Sequence, residues 1–209
     1  MKTITTTIAI LALSILALSC SKDDETPTSI KPTSAEANFE NTTEVDIADA
    51  TFITIGVNNI SIAKSTESNI EVTATGTILD LKKLVLEMNI FHGFQSDLSF
   101  TLVAPDGTES LFIKRIGSSA NYVNANKLRF SAAFTNTLSN DNVTLLAGNY
   151  KESQGLGAFA TPILLPIFST LQDKSVKGTW KLKATDHNNT RTGTIKSWKL
   201  IFEAGALNQ

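Results

Sequence analysis

Apolar and polar residues alternate along most of the chain beyond residue 38, with the period of two that a half-buried β-strand shows. The segment 84–91 is typical, and its apolar face is formed by Leu84, Leu86, Met88 and Ile90. The same pattern predicts further strands over 51–57, 69–78, 97–104, 109–116, 178–186 and 194–204. Stretches with a helical period are scarce, so the pattern favours an all-β fold.

Turn signals separate the predicted strands. The run 105–108, Pro-Asp-Gly-Thr, predicts a hairpin, because proline presets φ, aspartate bonds nearby backbone and glycine accepts a positive φ. Residues 187–193 join the last two strands. Many short strands separated by turns predict a β-sandwich, with Trp180 and Trp198 in its core. The least regular stretch, 114–176, is expected to fold over one end of the sandwich.

We expect the chain to begin with an export signal outside the fold; the alternative is a short buried helix of the domain. Met1 and Lys2 give a positive start, and 8–18 is an almost wholly apolar run. That run is shorter than the roughly 20 residues of a membrane-spanning helix and fits the apolar region of a secretory signal. We therefore predict a signal peptide over 1–19, a Thr-, Ser- and Pro-rich tether over 20–37, and a folded domain over 38–209.

The residues around the only cysteine, Cys20, predict a lipid anchor. Leu-Ala-Leu-Ser-Cys resembles the lipobox of bacterial lipoproteins, in which the cysteine sulfur receives a diacylglycerol and cleavage occurs just before the cysteine. Two or three acyl chains make a stable membrane anchor, since each buried methylene contributes about 0.8 kcal/mol.

The charged run after the cysteine has two interpretations. One is a solvated tether. The other is an address, because the run resembles the lipoprotein export signal of Bacteroidota, which directs a protein to the outside of the outer membrane; it consists of Ser21, Lys22, Asp23, Asp24 and Glu25. We expect a lipid-anchored outer-membrane protein exposed at the cell surface.

Composition narrows the class of function. The chain carries 18 Lys and Arg against 20 Asp and Glu, and a net charge of −2 gives no support for nucleic-acid binding. A hydrophobic fraction of 42% is enough for a full core. A single cysteine excludes an internal disulfide.

Two separated motifs resemble the P domain of the subtilisin-like proprotein convertases. The first follows an alternating strand with His92, Phe94, Asp97, Leu98, Pro105, Gly107 and Thr108. The second contains Gly178, Thr179, Trp180, Leu182, Asp186, Thr192, Gly193, Thr194, Ile195, Ser197, Trp198, Leu200 and Phe202. The resemblance covers about residues 57–204.

The resemblance implies a jelly-roll β-sandwich similar to galactose-binding domains. In convertases the P domain lies behind the catalytic domain and supports it, and in bacteria it also occurs as an accessory module. The mature chain has no room for a subtilisin domain, so we expect any catalytic partner to be another chain. Some P domains bind calcium, and Asp97 and Asp186 occupy matching positions. The alternative role of both aspartates is hydrogen bonding to loop backbone.

Candidate catalytic residues are few. His92 and His187 are the only histidines, and no Gly-x-Ser-x-Gly motif is present. Asp186 and His187 are neighbours along one loop and do not orient each other as the members of a catalytic triad do. The resemblance makes His92 a structural residue at a strand end. We therefore expect a non-catalytic protein, without a zinc site.

A binding function fits these observations best. Aromatic residues in loop-like stretches are candidate ligand contacts, or else they fill the ends of the sandwich: Phe94, Tyr122, Tyr150 and Phe159. The first hypothesis is a surface-anchored adhesion protein that recognises an extracellular glycan or protein. The second is an accessory subunit that stabilises or recruits a separate secreted protease or other hydrolase.

Overall fold

The computed structural model describes residues 33–116, 123–138, 146–151, 165–189 and 191–209. These ranges contain short 3₁₀ turns but no α-helix, and no helix in them has the length and apolar character that crossing a bilayer requires. Their strands are β1 (Ala37–Asn41), β2 (Val45–Ile47), β3 (Thr51–Ile55), β4 (Asn58–Ile62), β5 (Lys64–Val72), β6 (Thr77–Ile78), β7 (Leu84–His92), β8 (Leu98–Val103), β9 (Glu109–Lys114), β10 (Val123–Phe130), β11 (Gly148–Tyr150), β12 (Gly178–Asp186), β13 (Gly193–Phe202) and β14 (Leu207–Asn208).

Two sheets form the sandwich. Sheet A has the order β1-β13-β7-β10-β11, and β2 pairs with β13 beyond the end of β1. Sheet B has the order β5-β12-β8-β9. Neighbouring strands are antiparallel except β10 and β11. The all-β sandwich that the alternation and the family resemblance predict is confirmed.

Aromatic side chains pack the two sheets against each other. Trp180 of sheet B meets Phe202 of sheet A edge-on at 6.2 Å between ring centroids, and Phe112 meets Phe130 at 4.9 Å. Trp198 is buried as predicted, and its Nε1 donates across the core to Ser68 Oγ over 2.9 Å. Each fully buried large side chain contributes about 1.5–3 kcal/mol, so this layer is the main source of stability.

The predicted strand 69–78 is wrong in its extent. It is divided by the turn at Gly76, whose φ of 109° is a conformation that glycine accepts readily. The first part belongs to β5, which begins earlier, at Lys64. The second part is β6, which leaves sheet B and pairs with β14.

The stretch 114–176 contributes a strand to the middle of sheet A, which the sequence pattern did not indicate. That strand, β10, pairs with β7, and its register shifts between Ala125 and Leu128. Lys127, inside the shift, has a φ of 59°. Such a bulge breaks the period of two, so the alternation that marks the other strands is lost here.

The fold starts a few residues before the predicted boundary at residue 38. Ala37 pairs with Phe202, and the Ser34 hydroxyl accepts a hydrogen bond from the backbone N–H of Leu207 over 3.1 Å. Residues 33–209 form one compact unit with its own hydrophobic core. A fragment of this extent is therefore expected to fold by itself.

Replacing Gly193 by alanine should destabilise the fold. A Cβ there would enter the His92 ring and lie 2.6 Å from the carbonyl oxygen of Phe91. Overpacking of a buried site costs about 1–3 kcal/mol, and we expect Gly193→Ala to reach the upper end of that range in urea unfolding followed by tryptophan fluorescence.

The control is Gly107→Ala, because a Cβ at Gly107 meets no atom within 4 Å and only its φ of 84° opposes the change. That strain costs about 1–2 kcal/mol. An equal or smaller loss for Gly193→Ala would contradict the close contact with His92.

Candidate functional site

One end of the sandwich is closed by a buried pair of ionisable side chains. His92 is the last residue of β7 in sheet A, Asp186 is the last residue of β12 in sheet B, and neither is exposed. Nε2 of His92 donates to Oδ2 of Asp186 over 3.1 Å. The pair therefore connects the two sheets where their strands end. Removing one partner of such a pair typically costs about 3–5 kcal/mol, because the other is left buried and uncompensated.

Short turns hold both side chains in place. Nδ1 of His92 lies 2.8 Å from the carbonyl oxygen of Phe94 and 3.1 Å from its backbone nitrogen. Oδ1 of Asp186 accepts a hydrogen bond from the backbone N–H of Asn188 over 2.9 Å. This is the local turn that an aspartate stabilises through its own side chain.

Two further carboxyl groups lie beside this pair. Burial, and then the neighbouring Asp186 carboxylate, raise the pKa of Asp97 above its ordinary value, and the same two causes raise the pKa of Asp49. Oδ2 of Asp97 and Oδ1 of Asp49 are buried without a hydrogen-bond partner. Unpaired buried carboxylate oxygens favour the protonated form.

His187 completes the group. Its backbone N–H donates to the carbonyl oxygen of Asp97 over 2.8 Å, and its Nε2 lies 2.9 Å from Ser99 Oγ. Burial, and then the charge of Arg115, lower the pKa of His187. We refer to these five residues as the end cluster: Asp49, His92, Asp97, Asp186 and His187.

Three of the five side chains of the end cluster are buried, namely His92, Asp97 and Asp186, and Asp49 and His187 are half-buried. Ser99, which contacts His187, is 7% exposed, and His92 is fully buried. A nucleophile must be reached by substrate, and a general base must lie within hydrogen-bond reach of it. The hydrogen bonds of this arrangement connect β7, β12 and the loops that follow them.

The two candidate calcium ligands are neighbours in the end cluster. Asp97 and Asp186 do lie together, and the unpaired Oδ2 of Asp97 is an oxygen of the type that calcium prefers. Both Asp186 oxygens, however, already accept hydrogen bonds from His92 and Asn188. Across the described ranges, no group of three or more His, Cys, Asp or Glu side chains is arranged to hold a metal ion. Calcium binding stays a prediction.

Strands β3 and β4 form a separate hairpin, which follows Asp49 in the chain and contacts the end cluster at its base. In the described part of the chain, these strands pair with each other and with no other strand. Gly56, with a φ of 64°, and Val57 form the connecting turn. Glycine at the first central position suits a two-residue type II′ turn, whose twist matches that of the flanking strands.

One face of this hairpin is aliphatic and exposed to solvent. The cross-strand register places Ile53 opposite Ile60, and the same face carries Ile55 and Ile62. These four side chains, the four-isoleucine face, are 41–58% exposed, and Val57 at the turn is 98% exposed. An exposed cluster of this kind marks an interaction surface in soluble proteins.

The opposite, more polar face of the hairpin meets the protein at its base. Ser61 Oγ donates to the carbonyl oxygen of His187 over 2.7 Å. Just before the hairpin, the backbone N–H of Ala48 donates to Thr66 Oγ1 over 2.8 Å, and Asp49 contacts Asp186. The end cluster thus fixes the base of the hairpin. Beyond that base both faces are open to solvent, because Phe52 on the more polar face is 46% exposed.

Two of the predicted ligand contacts, Phe94 and Tyr150, lie in the described ranges, and they are not brought together. Phe94 lies beneath the Arg191 guanidinium at 4.7 Å, next to the end cluster. Tyr150 is half-buried at the other strand ends, where it packs on Phe130 at 6.1 Å and donates to the Leu146 carbonyl over 3.1 Å. The other predicted site residues lie outside the described ranges: Cys20, Ser21, Lys22, Asp23, Asp24, Glu25, Tyr122 and Phe159.

Sequence reasoning missed Asp49 and the four-isoleucine face. The segment 51–57 reads as an ordinary core strand, because β-branched residues dominate it. A usable signal was the absence of charge between Asp49 and Lys64, a run of two strands and a turn. Solvent-exposed hairpins normally carry charged residues, so such a run indicates a surface that is covered in use.

Comparison with known proteins identifies relatives of this sandwich. The family model for the proprotein convertase P-domain matches residues 81–202. A transglutaminase-activating metalloprotease of Streptomyces mobaraensis is 27% identical over 173 residues, which are 83% of this chain and 16% of the relative. This chain therefore spans about a sixth of that protein's length.

Two solved structures are also similar. A serine protease of Aeromonas sobria in complex with its chaperone matches 86% of this chain and 28% of the protease chain, at 16% identity and a TM-score of 0.40. The same protease without the chaperone matches 83% of this chain and 28% of its own, at 16% identity and a TM-score of 0.37.

Replacing Asp97 by asparagine should change how stability depends on pH. The folded-state pKa of Asp97 is raised, so the folded state binds more protons than the unfolded state between the ordinary value of 3.8 and the raised value. At a pH above the raised pKa, the ionised Asp97 carboxylate therefore lowers the free energy of unfolding. This loss disappears as the pH falls from the raised pKa toward 3.8, where Asp97 becomes protonated in the folded state. Relative to wild type, Asp97→Asn should be most favourable near pH 7 and lose that advantage toward about pH 4.

The control, Asp106→Asn, should behave in the opposite way. Hydrogen bonds from Lys174 and Thr108 lower the pKa of Asp106 to about 2, so its contribution is present above pH 3.8 and lost toward pH 2. Urea unfolding over this pH range measures both variants. A pH-independent difference for Asp97→Asn would contradict the buried, charge-coupled environment of Asp97.

Proposed function

This chain belongs to the proprotein convertase P-domain family, and from that membership we propose that it is a non-catalytic accessory protein that docks on a separate secreted hydrolase. The four-isoleucine face is the observation that carries the proposal. It is uncharged and held at a fixed position by the end cluster. A partner that covers it gains the free energy of burying exposed apolar surface, about 25 cal/mol per Å².

The chemistry of the hairpin favours a protein partner. A two-stranded sheet is marginally stable alone and gains from a third strand or an apolar cover. The four-isoleucine face offers that cover no charge to neutralise and no buried polar group to satisfy, which suits the centre of a protein interface. The similar metalloprotease matches 83% of this chain, and the matched region is 16% of the metalloprotease. A P domain joined to a hydrolase in one relative supports a hydrolase as the partner here.

We further propose that the protein is attached to a membrane by lipid on Cys20. The apolar run 8–18 and the lipobox-like residues before the cysteine support this attachment. The charged run 21–25 supports export to the outer face of the outer membrane. An anchored accessory protein would hold a diffusing hydrolase near the surface and raise its local concentration.

Replacing two of the isoleucines should release the hydrolase partner. In Ile53→Thr/Ile60→Thr both residues stay β-branched, so strand propensity is kept while apolar surface is lost. Affinity purification of the full-length chain from detergent-solubilised native membranes, with mass spectrometry, should recover a protein with a hydrolase domain. Both side chains are only about half exposed before docking, at 41% and 46%, so covering each contributes roughly 0.7 kcal/mol. We expect the double variant to retain about tenfold less of it, because the pair together loses about 1.4 kcal/mol.

The matched control is Leu79→Thr/Leu165→Thr, which removes two apolar side chains that are 53% and 58% exposed elsewhere on the domain. This variant should keep the partner. Equal retention by the hairpin variant and wild type, or recovery of no hydrolase with wild type, would overturn the proposal.

Replacing Cys20 by alanine should abolish labelling by radioactive palmitate in growing cells, because the sulfur that carries the lipid is lost. Replacing Lys22 through Glu25 by alanine should leave labelling intact and remove digestion by protease added to whole cells. If that second variant stays fully accessible, the run is only a tether, and the address interpretation is wrong.

A further inference from the structure

A row of exposed side chains crosses the outer face of sheet A near the end cluster. Thr194 of β13 lies between Asp46 of β2 and Phe91 of β7 in the strand register, and Phe91 in turn faces Asn124 of β10. Directly opposed residues on neighbouring strands place their side chains about 5 Å apart on one face. Four strands thus align a carboxylate, a hydroxyl, an aromatic ring and an amide.

The row borders a cleft that is separate from the four-isoleucine face. The cleft has a volume of about 280 Å³ and is lined by Asp46, Ile47, Phe91, Thr192, Gly193 and Thr194. Phe91 is 37% exposed, whereas the flanking His92 and Ile90 are buried. The cleft is therefore an open site with an aromatic wall and a polar rim, slightly smaller than the range of about 300–1,000 Å³ for drug-sized ligands.

The polar groups in and beside the cleft form only long hydrogen bonds with one another: Asp46 and Thr194 line the cleft, and Asn124 and Lys196 lie beside it. Thr194 Oγ1 lies 3.4 Å from Asp46 Oδ1, and Lys196 Nζ lies 3.4 Å from Asn124 Oδ1. Good hydrogen bonds of these types are about 2.7–3.2 Å long, so both pairs are loose. Carboxylate, hydroxyl, amide and ammonium groups together offer donors and acceptors to a ligand rich in hydroxyls.

We propose that this cleft binds a neutral glycan, with one sugar ring stacked on Phe91. The C–H bonds on one face of a pyranose ring are weakly positive and suit the negative face of an aromatic ring. Adjacent sugar hydroxyls act as donor and acceptor at once, and Asp46 and Thr194 offer matching groups on the same row.

The charge that lines the cleft favours a neutral glycan over an acidic one. The Lys196 ammonium lies over the Phe91 ring, with Nζ 6.0 Å from the ring centroid, but it is not part of the lining. Asp46 is the charged residue of the lining. An added carboxylate on the ligand would face Asp46, and like charges in contact oppose binding.

The proposal is tested with the fragment 33–209 and a panel of methyl glycosides. Galactose, glucose, mannose, N-acetylglucosamine and xylose serve as neutral probes, and galacturonic acid serves as the acidic probe. Saturation-transfer NMR and amide chemical shifts report binding. We expect at least one neutral glycoside to shift the amides of Asp46, Phe91 and Thr194, and the acidic probe to bind less well.

Phe91→Ala should weaken that binding by about tenfold or more, a difference of about 1.4 kcal/mol. Phe52→Ala is the matched control, since Phe52 is an exposed aromatic residue on the hairpin, at 46%. Asp46→Ala should also weaken binding and leave the fold unchanged, as checked by tryptophan fluorescence.

Three results would overturn the proposal. The first is no response from any neutral glycoside. The second is a response whose shifted amides lie away from the cleft, and the third is equal binding by Phe91→Ala and wild type. None of these results bears on the hydrolase partner, which the four-isoleucine face would bind on its own.

Discussion

The hydrogen-bonded pair of His92 and Asp186 is the constraint on which this end of the molecule depends. It joins the last residue of a strand in one sheet to the last residue of a strand in the other, with both side chains fully buried. A buried pair of this type gives less net stability than an apolar contact of equal size, but it tolerates few alternative arrangements. Its main contribution is to fix how the two sheets and their loops meet.

The hairpin of β3 and β4 makes use of that fixed geometry. An amphipathic hairpin on a soluble protein normally turns its apolar face inward and its polar face outward. Here Ser61, on the polar face, bonds the backbone of His187, and the four-isoleucine face is exposed. Phe52 on the other face is 46% exposed, so both faces of the hairpin leave apolar surface in water in the isolated domain. A rigid base reduces the ordering cost of docking on that surface. The same end presents the Phe91 cleft, so protein and glycan recognition would use neighbouring but separate surfaces.

Much of the sandwich follows from the sequence, because its central strands alternate strictly. Residues 84–91 and 178–186 give β7 and β12 nearly to the residue. The strand β10 is not predicted from the sequence, because the bulge between Ala125 and Leu128 removes the period of two. The exposure of the hairpin is not predicted either, because alternation indicates two faces without showing whether either one is covered. His92 and Asp186 are 94 residues apart, so their contact depends on the topology of both sheets and on no local pattern.

The most direct test is amide hydrogen exchange of the hairpin in Asp186→Asn, a variant that keeps the size of the side chain and weakens its bond to His92. If the end cluster fixes the hairpin, the amides of β3 and β4 should exchange about tenfold faster or more, which corresponds to about 1.4 kcal/mol of local opening. The amides at the centre of β7 and β13 should change less. Unchanged exchange in the hairpin, or an equal acceleration throughout the sandwich, would contradict the account.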